Sequence, residues 1–159
     1  MKIKAFIIYS FLLIAFSFQG YSQQVRLLNI DQLNERIKNG KDSTYVVNFW
    51  ATWCAPCIKE LPHFEKLSAE YKTKKLAVLL VSVDFKSKLN SAVIPFINRK
   101  KIKNEVFLLN ESSPQEYIDR IDKSWSGSIP ATLFIKNEKR KFIESEFTYE
   151  QLLTEYKKL

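Results

Sequence analysis

Two cysteines separated by two residues, Cys54 and Cys57, constrain the fold of this chain more than any other feature. They follow an apolar run at residues 45–51, which is typical of a strand buried on both faces, and they begin a helical pattern over residues 56–71. The free N–H groups and the positive dipole end at a helix start favour a thiolate on Cys54. The pattern therefore predicts a strand that delivers a nucleophilic cysteine to the start of a helix.

The spacing of the two cysteines gives them different roles. Cysteines three residues apart at a helix start can close a disulfide with little backbone movement, so an accessible Cys54 would attack a substrate and a shielded Cys57 would resolve the product. A purely structural disulfide is the weaker interpretation, because closing so short a loop removes almost no chain entropy. Structural zinc needs four ligands, and His63 is the only other soft ligand nearby. We therefore expect no metal, and no cofactor other than the redox-active Cys54–Cys57 pair.

The rest of the chain alternates strand and helix patterns without internal repeats or a flexible linker, and its 159 residues suit one domain. Strand, helix and strand in succession imply a parallel core, and a late hairpin adds antiparallel strands, so we predict an α/β fold with a mixed sheet. Further helices are predicted at residues 29–40, around 93–97, at 114–121 and at 149–159, and further strands at 76–83, 106–109, 131–135 and 141–144.

Residues 47–57 (Val-Asn-Phe-Trp-Ala-Thr-Trp-Cys-Ala-Pro-Cys) resemble the active-site segment of the thioredoxin superfamily, and most closely that of the exported TlpA/ResA-type thiol-disulfide oxidoreductases. Pro62 matches the proline within the family's active-site helix, and residues 128–134 resemble the segment that holds its cis-proline, here Pro130. Pro130 lies 73 residues after Cys57, farther than in plain thioredoxin. The resemblance thus implies a thioredoxin fold over roughly residues 25–159, with a helix-bearing insertion at about residues 93–125 before the cis-proline.

The same resemblance implies roles for the residues of the site. Pro130 belongs to the catalytic set together with the two cysteines. The backbone of Ile129 would pair with an extended substrate segment, as a short added strand. Trp53, Ala55 and Pro56, which surround the cysteines in the sequence, would contact the substrate.

One position departs from the pattern of plain thioredoxins, which carry a buried Asp where this chain has Asn48. TlpA/ResA-type proteins often have Asn there and an acid after the next strand, so Asp84 is the expected proton-handling acid. The alternative for Asp84 is a cap on a helix near Ser87. Trp125 either forms part of a substrate groove or packs beneath it, and His63 is expected on the surface.

Residues 1–22 have the pattern of an export signal: two early lysines, a 14-residue apolar stretch at residues 5–18, and the small residues Gly20 and Ser22 before a cleavage point. Cleavage after Ser22 would leave a thioredoxin-like domain of residues 23–159. The apolar stretch is shorter than the roughly 20 residues of a spanning helix, which makes a retained N-terminal anchor the less favoured alternative.

Charge alone does not identify a partner. The formal charge of +8 would fall to +6 on removal of Lys2 and Lys4. An exported chain rarely meets nucleic acid, so we expect no nucleic-acid partner and interpret the surplus as a feature of solubility or surface association.

The resemblance implies an exported, periplasmic thiol-disulfide oxidoreductase that acts as a monomer and reduces disulfides of cysteine-containing envelope proteins, including those of cytochrome c maturation. Its electrons would come from a membrane thiol donor of the DsbD/CcdA type. Two alternatives stay open: a disulfide-forming oxidant, and a non-catalytic module that binds copper or a haem-assembly partner.

Overall fold

A computed structural model describes residues 24–40 and 43–159. That part of the chain forms one six-stranded sheet with α-helices on both faces. The strands are β1 Arg26–Leu28, β2 Thr44–Trp50, β3 Leu76–Ser82, β4 Glu105–Leu109, β5 Ala131–Lys136 and β6 Lys139–Ile143; the α-helices are α1 Ile30–Asn39, α2 Ala55–Glu70, α3 Ile94–Lys100, α4 Ile118–Ile121 and α5 Tyr149–Lys157.

The strand order in the sheet is β1-β4-β3-β2-β5-β6. Strands β1, β4, β3 and β2 run parallel, whereas β5 and β6 pair antiparallel, which confirms the predicted mixed sheet. All seven residues of β2 are buried, as expected for a central strand covered on both faces. Asn48 on β2 lies opposite Leu80 of β3 and opposite Thr132 of β5.

Two apolar cores fill the space between the sheet and its helices, because successive side chains on a strand point to opposite faces. Val46 and Trp50 of β2 pack on one face, with Phe64 of α2 and Leu152 of α5. The opposite face holds Val47 and Phe49 of the same strand, the buried side chains of α1, and Trp125. The helix that begins at the cysteines is therefore anchored in one core, and the segment before Pro130 in the other.

Most predicted elements are present, with ends that differ by a few residues. Strand β1 was not predicted, and the helix predicted at residues 114–121 is divided into a 3-10 turn, Pro114–Glu116, and α4. Residues 93–125 do bear a helix, α3, and they also supply β4, which enters the sheet between β1 and β3. The predicted export signal lies outside the described residues, among which no helix is long and apolar enough to cross a membrane.

Candidate active site

Cys54 and Cys57 form a disulfide at the start of α2. Cys54 is the residue that caps this helix, and the backbone N–H of Cys57 donates to Cys54 Sγ over 3.3 Å. Pro56 occupies the first turn, where a missing N–H costs nothing because that turn has no partner for it. The sulfur of Cys54 thus lies against the positive end of the helix, an arrangement that stabilises a thiolate once the disulfide is reduced.

Burial of the two sulfur-bearing residues follows the predicted order but not the predicted degree. Cys57 is fully buried, and Cys54 is itself buried with 5% of its surface exposed, so the prediction of an accessible Cys54 is wrong for the disulfide form. In the disulfide, Cys54 Sγ is held over the helix start and 3.8 Å from the carbonyl oxygen of Ile129. Since a disulfide sulfur carries no hydrogen, this is a contact and not a hydrogen bond.

The loop before β5 lies opposite the disulfide. The bond between Ile129 and Pro130 is cis, as predicted for this position. Pro130 is buried and Ile129 is half-buried, and the contact between Ile129 and Cys54 brings this backbone to the sulfur that a substrate must reach. The two segments that carry the resemblance therefore meet in the structure.

Trp125 holds this loop from beneath. It is 4% exposed, its Nε1 donates to the carbonyl of Ser128 over 2.7 Å, and its ring packs on Phe49 at a centroid distance of 5.0 Å. Of the two interpretations open from the sequence, packing beneath the groove is the one that the structure supports.

The residues predicted to contact substrate surround the disulfide on the surface. Trp53 is 68% exposed, and both Ala55 and Pro56 are exposed. None of these three side chains is needed to fill a core, so their positions are compatible with substrate contact, which stays a prediction. His63 is half-buried against the ring of Tyr149, 6.4 Å away between centroids, and so lies less openly on the surface than expected.

Asp84 is buried at the carboxyl end of β3 and accepts three hydrogen bonds. Thr52 donates through its backbone N–H over 2.9 Å and through its hydroxyl over 2.6 Å, and Ser82 donates its hydroxyl over 2.8 Å. These bonds tie the segment just before Trp53 and Cys54 to the end of β3. The capping alternative is wrong, because the 3-10 turn Lys86–Lys88 has no side-chain cap. The proton-handling role stays a prediction, and the bonds of Asp84 favour a positioning role.

A different acid, Glu60, is buried on the active-site helix. It lies three residues after Cys57, a spacing that places two helical side chains on the same face. Its carboxylate accepts from the side-chain amide of Asn48 over 2.8 Å and from the backbone N–H of Phe147 over 2.8 Å. The Asn48 amide also donates to Thr132 Oγ1 over 3.1 Å.

Burial raises the pKa of Glu60 from its ordinary 4.5 to about 7, against the opposing effects of the bonds from Phe147 and Asn48. A carboxyl group with that pKa can take up or release a proton near neutral pH. Within the described residues, the buried Oδ1 atom of Asn48 has no hydrogen-bond partner.

Glu60 was not singled out from the sequence, although the sequence contains a signal. Cys57, Leu61, Phe64 and Leu67 mark the buried face of α2, and Glu60 falls on that face by helical spacing. An acid on an apolar helix face is informative because a buried carboxyl group is costly without partners. Among the described residues, no group of three or more His, Cys, Asp and Glu side chains lies close enough together to hold a metal ion.

A parallel strand that leads to a Cys-x-x-Cys disulfide at a helix start, with a cis-proline loop opposite, defines a thioredoxin-fold protein with a dithiol site. Comparison with known sequences agrees with this class. A model of the AhpC/TSA family matches residues 18–140, and the chain belongs to this family. The predicted membership of the thioredoxin superfamily is thereby confirmed.

Among curated relatives, the thiol-disulfide oxidoreductase ResA of Oceanobacillus iheyensis is 40% identical over 55 residues. That match covers 35% of this chain and 29% of ResA, so the chain is matched to less than a third of the length of this relative.

Two solved structures show the same fold. A thiol:disulfide interchange protein of the thioredoxin family from Chlorobium tepidum superposes with a TM-score of 0.63 at 20% identity, covering 76% of this chain and 82% of that one. A DsbF homologue from Corynebacterium diphtheriae superposes with a TM-score of 0.62 at 23% identity, covering 77% of this chain and 76% of that one. At these identities the likeness establishes the fold.

Proposed function

We propose that this protein is a thiol-disulfide oxidoreductase that reduces disulfides of other proteins through Cys54 and Cys57. The observation that carries the proposal is the disulfide at the start of α2, with Cys54 against both the helix N–H groups and the Ile129 carbonyl of the cis-proline loop. The local match to ResA supports the same chemistry.

In the reduced protein, the Cys54 thiolate attacks one sulfur of a substrate disulfide. A mixed disulfide forms between Cys54 and that sulfur, and the other substrate sulfur leaves as a thiolate. Cys57 then loses its proton and attacks Cys54 Sγ, which releases the second substrate thiolate and forms the Cys54–Cys57 disulfide. Two electrons pass from the protein dithiol to the substrate, and the two thiolates that leave take protons from solvent.

Cys57 is fully buried, and burial disfavours the ionised form of a thiol. The proton of Cys57 therefore needs an acceptor nearby. We propose Glu60 for this role, because its pKa is about 7 and it shares the buried face of α2 with Cys57. Asp84 would act instead by holding Thr52, and with it the segment that carries Trp53 and Cys54.

The place of action and the partners are also proposals. The signal pattern of residues 1–22 supports export, with the periplasm as the compartment in a cell with two membranes. Disulfides of exported proteins, including the haem sites of apocytochrome c, would be the substrates, and a membrane thiol protein of the DsbD/CcdA type would return electrons. Trp53, Ala55, Pro56 and the backbone of Ile129 would contact the substrate.

The experiment that tests this proposal is the trapping of mixed disulfides. Cys57→Ser removes the resolving thiol, so substrates should remain bound to Cys54 and be released by dithiothreitol. The matched control is the double variant Cys54→Ser/Cys57→Ser, which should trap nothing. If the single variant recovers no covalent client from envelope extracts while its Cys54 still reacts with alkylating agents, the exchange role is wrong.

The direction of electron flow needs its own measurement. A reduction potential of about −270 mV agrees with a reductant, whereas one of about −120 mV would identify a disulfide-forming oxidant. Reduction of insulin by the parent, with loss in Cys54→Ser, supports an enzyme. No turnover by the parent, together with tight Cu(I) binding, would instead identify a binding module.

A further inference from the structure

Two large aromatic side chains are exposed in the segments that follow β2 and β3. Phe85 is 79% exposed and Trp53 is 68% exposed, compared with 38% for Leu27, the other exposed large apolar side chain among the described residues. Exposed aromatic surface of this kind indicates a contact site when the residues lie together.

These two residues do lie at the same edge of the sheet. Strands β2 and β3 are parallel neighbours, and the chain reaches Trp53 and Phe85 just beyond their carboxyl ends. The backbone N–H of Thr52 donates to Asp84 Oδ2 over 2.9 Å. Trp53 and Phe85 are therefore each one residue beyond a hydrogen-bonded pair, which places the two residues in adjacent segments at this edge of the sheet.

Positive charge accompanies Phe85. Lys86 and Lys88 are exposed on the 3-10 turn that begins after Phe85, and neither forms an ion pair within the described residues. Neither nearby acid forms an ion pair with these lysines within the described residues: Asp84 is buried against Thr52 and Ser82, and Glu111 accepts from the backbone N–H of Ile30 over 2.6 Å.

The nearest lysine on the active-site helix itself is paired. Lys59, in the first turns of α2, forms an ion pair with Glu146 at 2.6 Å. A groove of about 90 Å³ lies on the Phe85 side, lined by Phe85 and Lys86 and by the loop that follows β4. An exposed aromatic side chain, lysines without an ion pair in the described residues and a concave surface are therefore combined in the segment that follows β3.

We propose that Phe85, Lys86 and Lys88 select substrates, a proposal that rests on the thiol-disulfide exchange function above. The preferred substrate is a protein segment with an apolar side chain beside its reactive cysteine and acidic residues next to it. The apolar side chain packs between Trp53 and Phe85, where both surfaces lose contact with water. The acidic residues face Lys86 and Lys88, which accelerate the encounter.

Two synthetic peptides test this selection. Each has one cysteine in a mixed disulfide with thionitrobenzoate, whose release is measured by absorbance; one carries Leu beside the cysteine and two Glu, and the other carries Ser and two Lys at the same positions. The readout is the ratio of the two second-order rate constants with reduced protein at low salt. We expect the parent to prefer the apolar, acidic peptide by on the order of tenfold.

Substitutions test which residues produce this preference between the two peptides. Phe85→Ser should lower the ratio about fivefold, and Lys86→Glu/Lys88→Glu should lower it by a similar factor that shrinks at high salt. The matched controls are Leu27→Ser, at an exposed apolar residue of β1, and Lys72→Glu/Lys74→Glu, at exposed lysines before β3 and thus at the opposite end of the sheet.

Each outcome is decisive. A ratio near one in the parent overturns the selection proposal and leaves the exchange function intact. If the ratio falls equally in the variants and in their controls, the selection proposal is likewise overturned and the exchange function again stands. If reduced parent attacks neither peptide, the exchange function itself fails. A ratio that falls only in the Phe85 and Lys86/Lys88 variants supports the proposal.

Discussion

At the scale of single residues, the active-site helix combines two groups whose charge depends on their surroundings. Cys54 lies where the helix N–H groups favour a negative charge, and Glu60, three residues after Cys57, lies where burial opposes one. A nucleophilic cysteine must be ionised. A proton acceptor that works near neutral pH needs a pKa near 7, so that it can both take up and release a proton. The two environments therefore suit the two roles that we propose.

The buried carboxyl of Glu60 makes the stability of the protein depend on pH. Its folded-state pKa of about 7 lies above the ordinary 4.5, so the folded protein holds a proton that the unfolded chain releases. The stabilisation from that proton is fully present below pH 4.5 and is lost as the pH rises through 7. Over this interval the loss amounts to about 3 kcal/mol.

Glu60→Gln tests this dependence because an amide does not titrate. With both proteins oxidised, we expect the free energy of unfolding of the parent to fall relative to that of Glu60→Gln by about 3 kcal/mol between pH 4.5 and 7. Urea denaturation at several pH values measures both curves. Parallel curves would show that Glu60 titrates normally and would remove it as the proton acceptor.

At the scale of elements, the segments that follow β2 and β3 are held together by Asp84. Its carboxylate accepts from Thr52 and Ser82, so the position of the segment leading to Cys54 depends on a residue of another strand end. When a buried donor loses its acceptor, the free energy of unfolding falls by more than the hydrogen bond itself contributed, because the donor is left unsatisfied.

We therefore expect Asp84→Ala to lower the free energy of unfolding by about 3 kcal/mol. Asp119→Ala, at an exposed acid on α4, is the matched control and should change it by less than about 0.5 kcal/mol. Urea denaturation of the oxidised proteins compares them. Equal, small effects would mean that Asp84 does not hold this segment.

Trp125 has the corresponding role for the cis-proline loop. Trp125→Phe keeps an aromatic ring but loses the bond to the Ser128 carbonyl, and we expect a cost of about 1–2 kcal/mol. Trp125→Ala also loses the packing on Phe49, for a cost of about 3–5 kcal/mol. Hydrogen exchange at residues 126–129 should quicken in both variants. Unchanged exchange in Trp125→Ala would contradict the anchoring role.

What the sequence predicts well is what local patterns determine. The seven buried residues of β2 and the helix that starts at Cys54 each have a pattern of their own, and the cis bond at Pro130 followed from the resemblance. Strand β1 was missed because it has three residues, of which only Leu28 is buried, and it exists through pairing with β4.

The site was less predictable than the fold for a related reason. The role of Asp84 depends on which strand ends are neighbours, and the burial of Glu60 depends on Asn48 and Phe147, which are distant in the sequence. Periodicity places Glu60 on the buried face of α2 but does not supply its partners. A charged residue on an apolar helix face is nevertheless a sequence signal for a buried acid.

At the scale of the whole molecule, the proposed export would determine which proteins can be substrates. The signal pattern predicts cleavage after Ser22, so the mature protein should begin at Gln23. Mass spectrometry of the protein from envelope fractions measures the mature N-terminus, and Ser22→Arg, which places a large charge at the cleavage point, should retain the whole chain. An intact N-terminus in the parent would indicate an anchor instead of a cleaved signal.

The central claim concerns the ionisation of Cys54 in the reduced protein. The most direct measurement is the alkylation rate of Cys57→Ser, whose only thiol is Cys54, as a function of pH. We predict a titration midpoint well below the ordinary thiol value of about 8.5, with fast reaction at neutral pH. A midpoint near 8.5, with the rate of a free cysteine, would contradict the account.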